Sequence, residues 1–570
     1  MPIAQVGSPP LALPVAGERT ATSAGLVGLT VLAVALFAVR LTGQPNLLDN
    51  EYRVGACVLD VLQHGNWLCP HDVLGNTDKP PMLTWLAALA SWPSGRVTAF
   101  TIYLPTAIAT VVIAWLVALA GRRLGARAGW LGALAYLLSH VATQQMATAR
   151  WDGLFALTVA VTAMAAFRAW SAGGGWTGFW LAGAVSTLTK GPLGVLLAAF
   201  GLGAVVWERR SGQPSPLRGS HVLGVGLYVV LVFGWFLAAY VRVGPHLIDN
   251  MIRAELLGHV VEHQVAYRFW KPIGDFAADF APWSVLTLLA LDRAWRVPAP
   301  SDEARRFERF LCCWFLGGLV LFSLSPHNQA RLMYPMVPVA AMLAGGQLDR
   351  LTATWTTRRL TGVAVVASVV ALAVFTDEYH HAIAHKPEVR ETVAIQALAR
   401  TVRAEVGDGF PLAYAVDAPF AVQLSLGTMR PPVTYPEAAE LLRGGAAAFV
   451  VVGDLEQLRR ALGTDSSPLH ELAHAADGRT TYLSLVGNRP HLVWDEPIAT
   501  RVGTLRLTLT GARLGATWDD TVVVTPRYPG GVAIVENGSD AARVVHVGVD
   551  GTRPQSRQLS PGASWRVELP

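Results

Sequence analysis

The chain has 570 residues, 52% hydrophobic and only 15% charged, and its mean hydropathy is positive. A soluble domain carries about 25% charged residues, so much of this chain is expected in lipid. The net charge of +5 comes from arginines spread over short loops, which speaks of membrane topology and excludes nucleic acid as a partner.

In chain order, residues 1–23 contain Pro and Ser and read as a flexible N-terminal tail. From 24 to 376 apolar runs recur, near 24–41, 97–121, 128–146, 151–170, 176–190, 191–207, 221–241, 272–291, 309–325, 332–346 and 360–376. Several are shorter than the ~20 residues of a perpendicular span. The expectation is eleven spans, or thirteen if short stretches such as 82–93 also insert. The first run lacks strongly basic flanks and an obvious small-residue cleavage site, so it reads as an anchor.

Between the first two runs lies Asp49–Trp85, which holds most of the acids and bases of the first hundred residues. Val54, Val58, Val61 and Leu62 form the apolar stripe of a helix, with Arg53, Asp60, Gln63 and His64 largely on its other face. Such a helix is expected to lie along the membrane interface, ending at Gly65-Asn66. Asp78-Lys79 follows, and Pro80-Pro81 stiffens the entry to the next run. Two readings stay open: carboxylates and cations converging at a membrane edge, or a solvated loop beside a charged helix face. The four cysteines have no metal-ligand spacing; Cys57 and Cys69 share this loop, where a bridge requires an extracytoplasmic location.

Arginine placement gives the orientation. With a cytoplasmic amino terminus, the inside loops hold Arg122, Arg123 and Arg127; Arg209, Arg210 and Arg218; Arg293, Arg296, Arg305, Arg306 and Arg309; and Arg350, Arg358 and Arg359. Asp49–Trp85 then falls outside, with Arg150-Trp151-Asp152, Lys190-Gly191-Pro192, the loop 242–271 and Ser325-Pro326-His327. Arg150 and Asp152 suit a phosphate or a sugar hydroxyl, but taken alone an interfacial ion pair beside a belt tryptophan is the plainer reading. Lys190 before Gly-Pro leaves an ammonium at the outer surface, to meet an anion or to snorkel. In the loop 242–271, Glu255, His259 and His263 fall at four-residue intervals. On a helix they would align for a divalent cation, the candidate cofactor; a wet interfacial helix is the plainer alternative.

Residues 377–481 alternate helical and strand signals, a small α/β pattern; 482–570 breaks into short alternating runs separated by Gly and Pro, a β-rich, sandwich-like end. Asn537-Gly538-Ser539 is a glycosylation sequon by pattern alone.

The motifs resemble one enzyme family. Asp49-Asn50-Glu51-Tyr52-Arg53, His64-Gly65-Asn66-Trp67 and Asp78-Lys79-Pro80-Pro81 with Trp85 look like the first external loop of the polyprenyl-phosphate-sugar-dependent glycosyltransferases of GT-C fold. This family includes aminoarabinose transferases acting on lipid A and protein O-mannosyltransferases. Arg150 and Asp152 match its second loop, Thr189-Lys190-Gly191-Pro192 looks like a signature, and His263 through Arg268-Phe269-Trp270-Lys271-Pro272 resembles a later loop. Ser325 through Arg331, Tyr334, Pro335 and Pro338 resembles a segment beside the donor, although His327 or Asn328 stands where a lysine is often seen. The resemblance covers about 25–345 and leaves the carboxy-terminal region outside.

With an odd number of spans the C-terminal domain also falls on the extracytoplasmic side; the resemblance implies a polytopic α-helical membrane protein of GT-C-like fold, multi-pass in the cytoplasmic membrane. The implied reaction is inverting sugar transfer from a polyprenyl-phosphate donor to a hydroxyl of a lipid, protein or glycan. The substrate-binding residues implied are Arg53, Lys79, Arg150, Asp152, Lys190, His263, Lys271, Arg331 and Tyr334. In gapless register Asn50 falls on the family's Asp and Glu51 on its Glu. Asn is no base, so a one-residue bulge that brings Asp49 to that place makes Asp49 the expected general base, with Glu51 in reserve. A transporter or flippase of lipid-linked sugars is the rival, but it calls for mid-bilayer charges and two related halves, and no internal repeat is visible.

Overall fold

The computed structural model describes residues 16–43, 49–73, 75, 79–208, 218–245, 247, 251, 269–297, 299, 301–325, 329–406, 410, 412–428, 430–444, 447–463, 469–492, 498–518, 520–526, 531–549 and 554–569, side chains of 16–22, 49, 50, 513, 516 and 518 excepted. Among them, six helices are long and apolar enough to cross a membrane: Ser23–Thr42, Ala99–Leu124, Trp151–Ala172, Val222–Val243, Asp302–Leu324 and Thr357–His385. The first continues upstream to Ala16, inside the stretch expected to be a flexible tail.

The other five expected runs fold as shorter or broken helices. Ser139 caps a new helix, so 128–146 becomes Ala128–Leu137 and His140–Met146. Trp176–Lys190 stops at Gly191, whose φ of 118° suits glycine alone, and Pro192 starts Leu193–Ala199. Lys271–Asp279 and Trp283–Arg296 share a fourth run, and Val337–Leu351 forms most of the fifth. Broken helices are tolerated where neighbours re-satisfy the freed backbone groups. Small residues let these pieces touch backbone to backbone: a Cβ on Gly345 would fall 2.3 Å from the Ala128 carbonyl oxygen.

One end of the bundle is laced by arginines. Arg127 Nε lies 2.9 Å from Asp349 Oδ1, and its Nη atoms donate to the carbonyls of Trp355 and Thr352. Arg305 and Arg309 converge on buried Glu208 at 3.1 and 2.7 Å, and Arg350 reaches Glu308 at 2.8 Å. These join all four of the loops expected inside.

At the opposite end, the helix Asp49–His64 packs on Met82–Ser91 and on Phe420–Leu426 of the C-terminal domain. Val54, Val58, Val61 and Leu62 are buried as the stripe requires, but so is Asp60 on the opposite, charged face. Asp60 is an internal staple rather than a surface charge. It accepts from Asn66 Nδ2 at 3.0 Å and the His71 amide at 3.1 Å, and lies 2.9 Å from His64 Nδ1. The loop after the helix is thereby pinned, and Trp85 and Trp235 hold it from above by donating to the carbonyls of Trp67 and Leu68. Cys57 and Cys69 remain thiols, with no disulfide between them.

In the C-terminal part, Ala413–Tyr414 and Phe449–Val452 run parallel, and Thr481–Gly487 and His470–Ala476 complete a four-stranded sheet. The boundary expected at 481/482 therefore falls inside a strand that pairs backward. Eight strands from Ile498 to Glu568 form two four-stranded sheets around a shared core, including Leu505, Leu507, Val535, Val545 and Val547. The sequon Asn537 is fully buried and donates to the Ala541 and Leu559 carbonyls; it holds a turn.

Candidate active site

The site is assembled where three helix ends meet the pinned loop. Arg53, one turn into its helix, sends Nε and Nη2 to Asp72 Oδ2 at 3.1 and 3.0 Å. Asp72 is almost wholly buried, which fixes the guanidinium by a charge-assisted double contact. Arg53, Cys57, Pro70, Asp72, Lys79, Pro81, Thr84 and Trp151 line one pocket. Two cations and one carboxylate in it suit an anionic ligand with polar groups attached. The buried indole N–H of Trp151 has no hydrogen-bond partner among the described residues.

Beside the pocket, Arg150-Trp151-Asp152 divides its charges. Arg150 turns to Glu51, its Nε 3.9 Å from Oε1, while Tyr103 donates to Glu51 Oε2 at 3.3 Å. Asp152, in the first turn of Trp151–Ala172, pairs with Lys190 at the last turn of Trp176–Lys190. The acid thus stands at a helix N-terminus and the ammonium at a C-terminus, each favoured by the local dipole. The Lys190 ammonium also lies 5.7 Å from the Phe155 ring centre. Arg150 and Asp152 thus have different partners, Glu51 and Lys190.

Arg331 lies in the 3₁₀ segment Ala330–Met336, which packs against Trp151–Ala172. It is half-buried and makes no ion pair or hydrogen bond with another described residue. Tyr334, expected to bind substrate, is buried, with its hydroxyl 2.6 Å from that of Tyr136, so it ties two helices. Lys271 pairs with Asp275 one turn on, at 2.6 Å. Asp49 opens its helix, but its side chain, like Glu255, His259, His263, His327 and Asn328, lies outside the described residues. Among the described residues no group of His, Cys, Asp and Glu is arranged to hold a metal.

Sequence reasoning missed Asp72, Tyr103 and the burial of Asp60. Asp72 carries only a faint signal, an acid beside His71 in a loop already rich in motif residues. Tyr103 sits in an apolar run, where nothing marks its hydroxyl for a carboxylate.

Comparison with known proteins bears on this arrangement. Residues 78–237 match the family described as dolichyl-phosphate-mannose-protein mannosyltransferase. The undecaprenyl phosphate-alpha-4-amino-4-deoxy-L-arabinose arabinosyl transferase 1 of Pseudomonas fluorescens is 27% identical over 366 residues, 61% of this chain and 62% of the relative. The undecaprenyl phosphate-alpha-4-amino-4-deoxy-L-arabinose arabinosyl transferase of Pectobacterium atrosepticum is 24% identical over 55% of this chain and 58% of its own. The chain thus spans about three fifths of the curated relatives it matches. In structure it is similar to ArnT from Cupriavidus metallidurans bound to undecaprenyl phosphate, with TM-score 0.64, 17% identity, and 84% of this chain and 99% of that one covered. The apo form superposes at TM-score 0.66 and 18% identity, over 82% and 99% of the two chains.

The chain has a GT-C fold. Within this GT-C fold the matched segment 78–237 runs from the end of the pocket loop through Trp151 and Lys190 to Trp235; it holds Lys79, Pro81, Thr84 and Trp151 of the pocket, while Arg53, Cys57, Pro70 and Asp72 precede it. The structural match extends past it, because the coverage leaves no room for a membrane domain alone.

Proposed function

We propose that this protein is a membrane glycosyltransferase that moves a sugar from a polyprenyl-phosphate donor to a hydroxyl-bearing lipid, protein or glycan. The observation that carries this reading is the pocket in which Arg53 and Lys79 flank Asp72, beside the Glu51–Arg150 and Asp152–Lys190 pairs. A lipid phosphate needs cations at a membrane edge, and these sit where the long apolar helices end. The relatives named for undecaprenyl-phosphate sugars, and the ArnT structure that holds undecaprenyl phosphate, support the donor class.

In the reaction, a carboxylate accepts the acceptor hydroxyl proton while the oxygen attacks the anomeric carbon. The carbon–oxygen bond to phosphate breaks with its electron pair leaving on the phosphate, and direct displacement inverts the anomeric centre. Lys79, Arg53 and Arg331 compensate the charge that develops there. Asp49 is the base in this scheme: position 49 lies one turn before Arg53 on the same helix face. Glu51, two positions on, points to Tyr103 and Arg150 instead.

The arginine-laced end favours a cytoplasmic location, which sets the pocket and the C-terminal domain on the extracytoplasmic side of the cytoplasmic membrane. The test is incubation of purified protein with defined polyprenyl-phosphate sugars and envelope acceptor extracts. Sugar transfer with release of polyprenyl phosphate is expected. Movement of the donor across a vesicle bilayer without transfer would replace this reading with a flippase.

A further inference from the structure

The C-terminal domain carries none of the sequence motifs, yet it is built onto the helix that bears Asp49, Glu51 and Arg53. Tyr52, Val54 and Leu59 of that helix share one core with Leu398, Val422 and Leu424 of the C-terminal domain. Gly55 lies so near Leu424 that a Cβ there would fall 2.5 Å from Leu424 Cδ2. Glycine is a poor residue for a helix interior, and this close approach supplies its reason. At the far end of the helix, Gln63 Nε2 donates to the Gly427 carbonyl at 2.9 Å. Arg501, on the first sandwich strand Ile498–Val502, donates to the Leu62 carbonyl at 2.6 Å, with its guanidinium 5.3 Å from the Trp92 ring centre. A cation on the last carbonyls of a helix complements its dipole.

We propose that the C-terminal domain is a working part of the active site: it holds the helix Asp49–His64 in its catalytic position, with Leu424 and Arg501 as positioning residues. The two contacts come from different parts of the domain, the α/β sheet region and the β-sandwich, and they grip the helix at its middle and its end. A helix held at both points cannot rotate or slide, and small misplacements of catalytic groups are costly to rate. A domain that only recruited acceptor would have no need of either contact. The inference rests on the glycosyltransferase reading for its kinetic consequence, but not for its mechanical one.

The test therefore has two arms. In the kinetic arm, Gly55→Leu overlaps Leu424 and is expected to lower kcat/KM for sugar transfer by about tenfold or more, while Gly55→Leu with Leu424→Ala recovers to within about threefold of wild type, the coupling expected of residues in contact. Arg501→Ala is expected to lose activity through kcat rather than donor KM, and Arg501→Lys to keep most of it. In the mechanical arm, Cys57 reports the helix directly, since it is half-buried and lines the pocket. Its reaction with a maleimide, followed by peptide mass spectrometry, is expected to be several-fold faster in Gly55→Leu and in Arg501→Ala. Unchanged Cys57 labelling in both variants overturns the proposal, as does a double variant no better than Gly55→Leu alone. If labelling changes as expected but even the wild type transfers no sugar, the clamp stands and the proposed reaction falls.

Discussion

Asp49 and Glu51 stand two residues apart on one helix, and such positions do not share a face. Only one of them can serve the pocket as base. Glu51 is buried between Tyr103 and Arg150, so removing its charge leaves a guanidinium without its carboxylate. Asp49→Asn is expected to lower kcat about 10²-fold with unchanged melting temperature, the usual scale of a lost general base. Glu51→Gln is expected to lower the melting temperature as well as the rate. The reverse pattern, with stability intact in Glu51→Gln and activity intact in Asp49→Asn, would make Glu51 the base. The two lysines separate in the same way. Lys79 lines the pocket, and Lys79→Ala is expected to raise donor KM about tenfold or more, as loss of a hydrogen bond to a charged group does. Lys190 neutralises Asp152 at 5% exposure, and Lys190→Ala is expected to destabilise by about 3 kcal/mol, as breaking a buried pair does. Thermal melts in detergent beside donor titrations distinguish the two.

At the scale of elements, the helix Asp49–His64 and its loop act as one unit because Asp60 sits at their joint. Asp60→Ala removes the acceptor for Asn66, for the His71 amide and for His64. At about 1.5–3 kcal/mol for each hydrogen bond to a charged group, the loss is expected to free the loop 65–72 locally. Protease nicking in that loop, with membrane insertion unchanged, is the measurement; a resistant loop would mean that Trp85 and Trp235 suffice to hold it. In the C-terminal domain, Asp477 ties a strand turn. It accepts from the Arg479 and Thr480 amides at 2.9 Å each and from Tyr482, with Arg390 nearby. The backbone amides hold its carboxyl down at about 2, below the usual 3.8. A depressed folded-state value gives stability that is present above the unfolded value and lost as pH falls from about 4 to about 2. The melting temperature is therefore expected to fall over that window, and Asp477→Asn to flatten the fall.

For the whole molecule, the two ends of the bundle differ in kind. One holds Arg127, Arg305, Arg309 and Arg350 in buried or half-buried pairs; the other holds the pocket and the C-terminal domain. If the arginine end is cytoplasmic, a cysteine placed at exposed Asp540, in a chain whose native cysteines are replaced, is expected to react with an impermeant thiol reagent in intact spheroplasts. Labelling only after lysis would invert the topology and move the active face to the cytoplasm.

Much of this was legible in the sequence, because lipid imposes simple rules on composition. Apolar length, arginine bias and helix-breaking Gly-Pro are local properties, so the membrane runs, the stop at Gly191 and the motif residues Arg53, Lys79, Lys190 and Asp152 could be read from the chain alone. What each residue does with its charge could not. Asp152 chose Lys190 across two helices and Arg150 turned to Glu51, although the sequence sets Arg150 and Asp152 two positions apart. Tyr334 stands in a motif expected to bind substrate, and its hydroxyl meets that of Tyr136, distant by 198 positions. Asp60 lies on the charged face of its helix, yet a loop folds over it. The same holds at 481/482: Thr481–Gly487 reads as a short strand like those that follow, but pairs with Phe449–Val452 before them. Local pattern determines which segments are helix, strand or membrane; the partner of a buried charge is decided only when distant segments meet, since leaving it unpaired costs more than any local preference supplies.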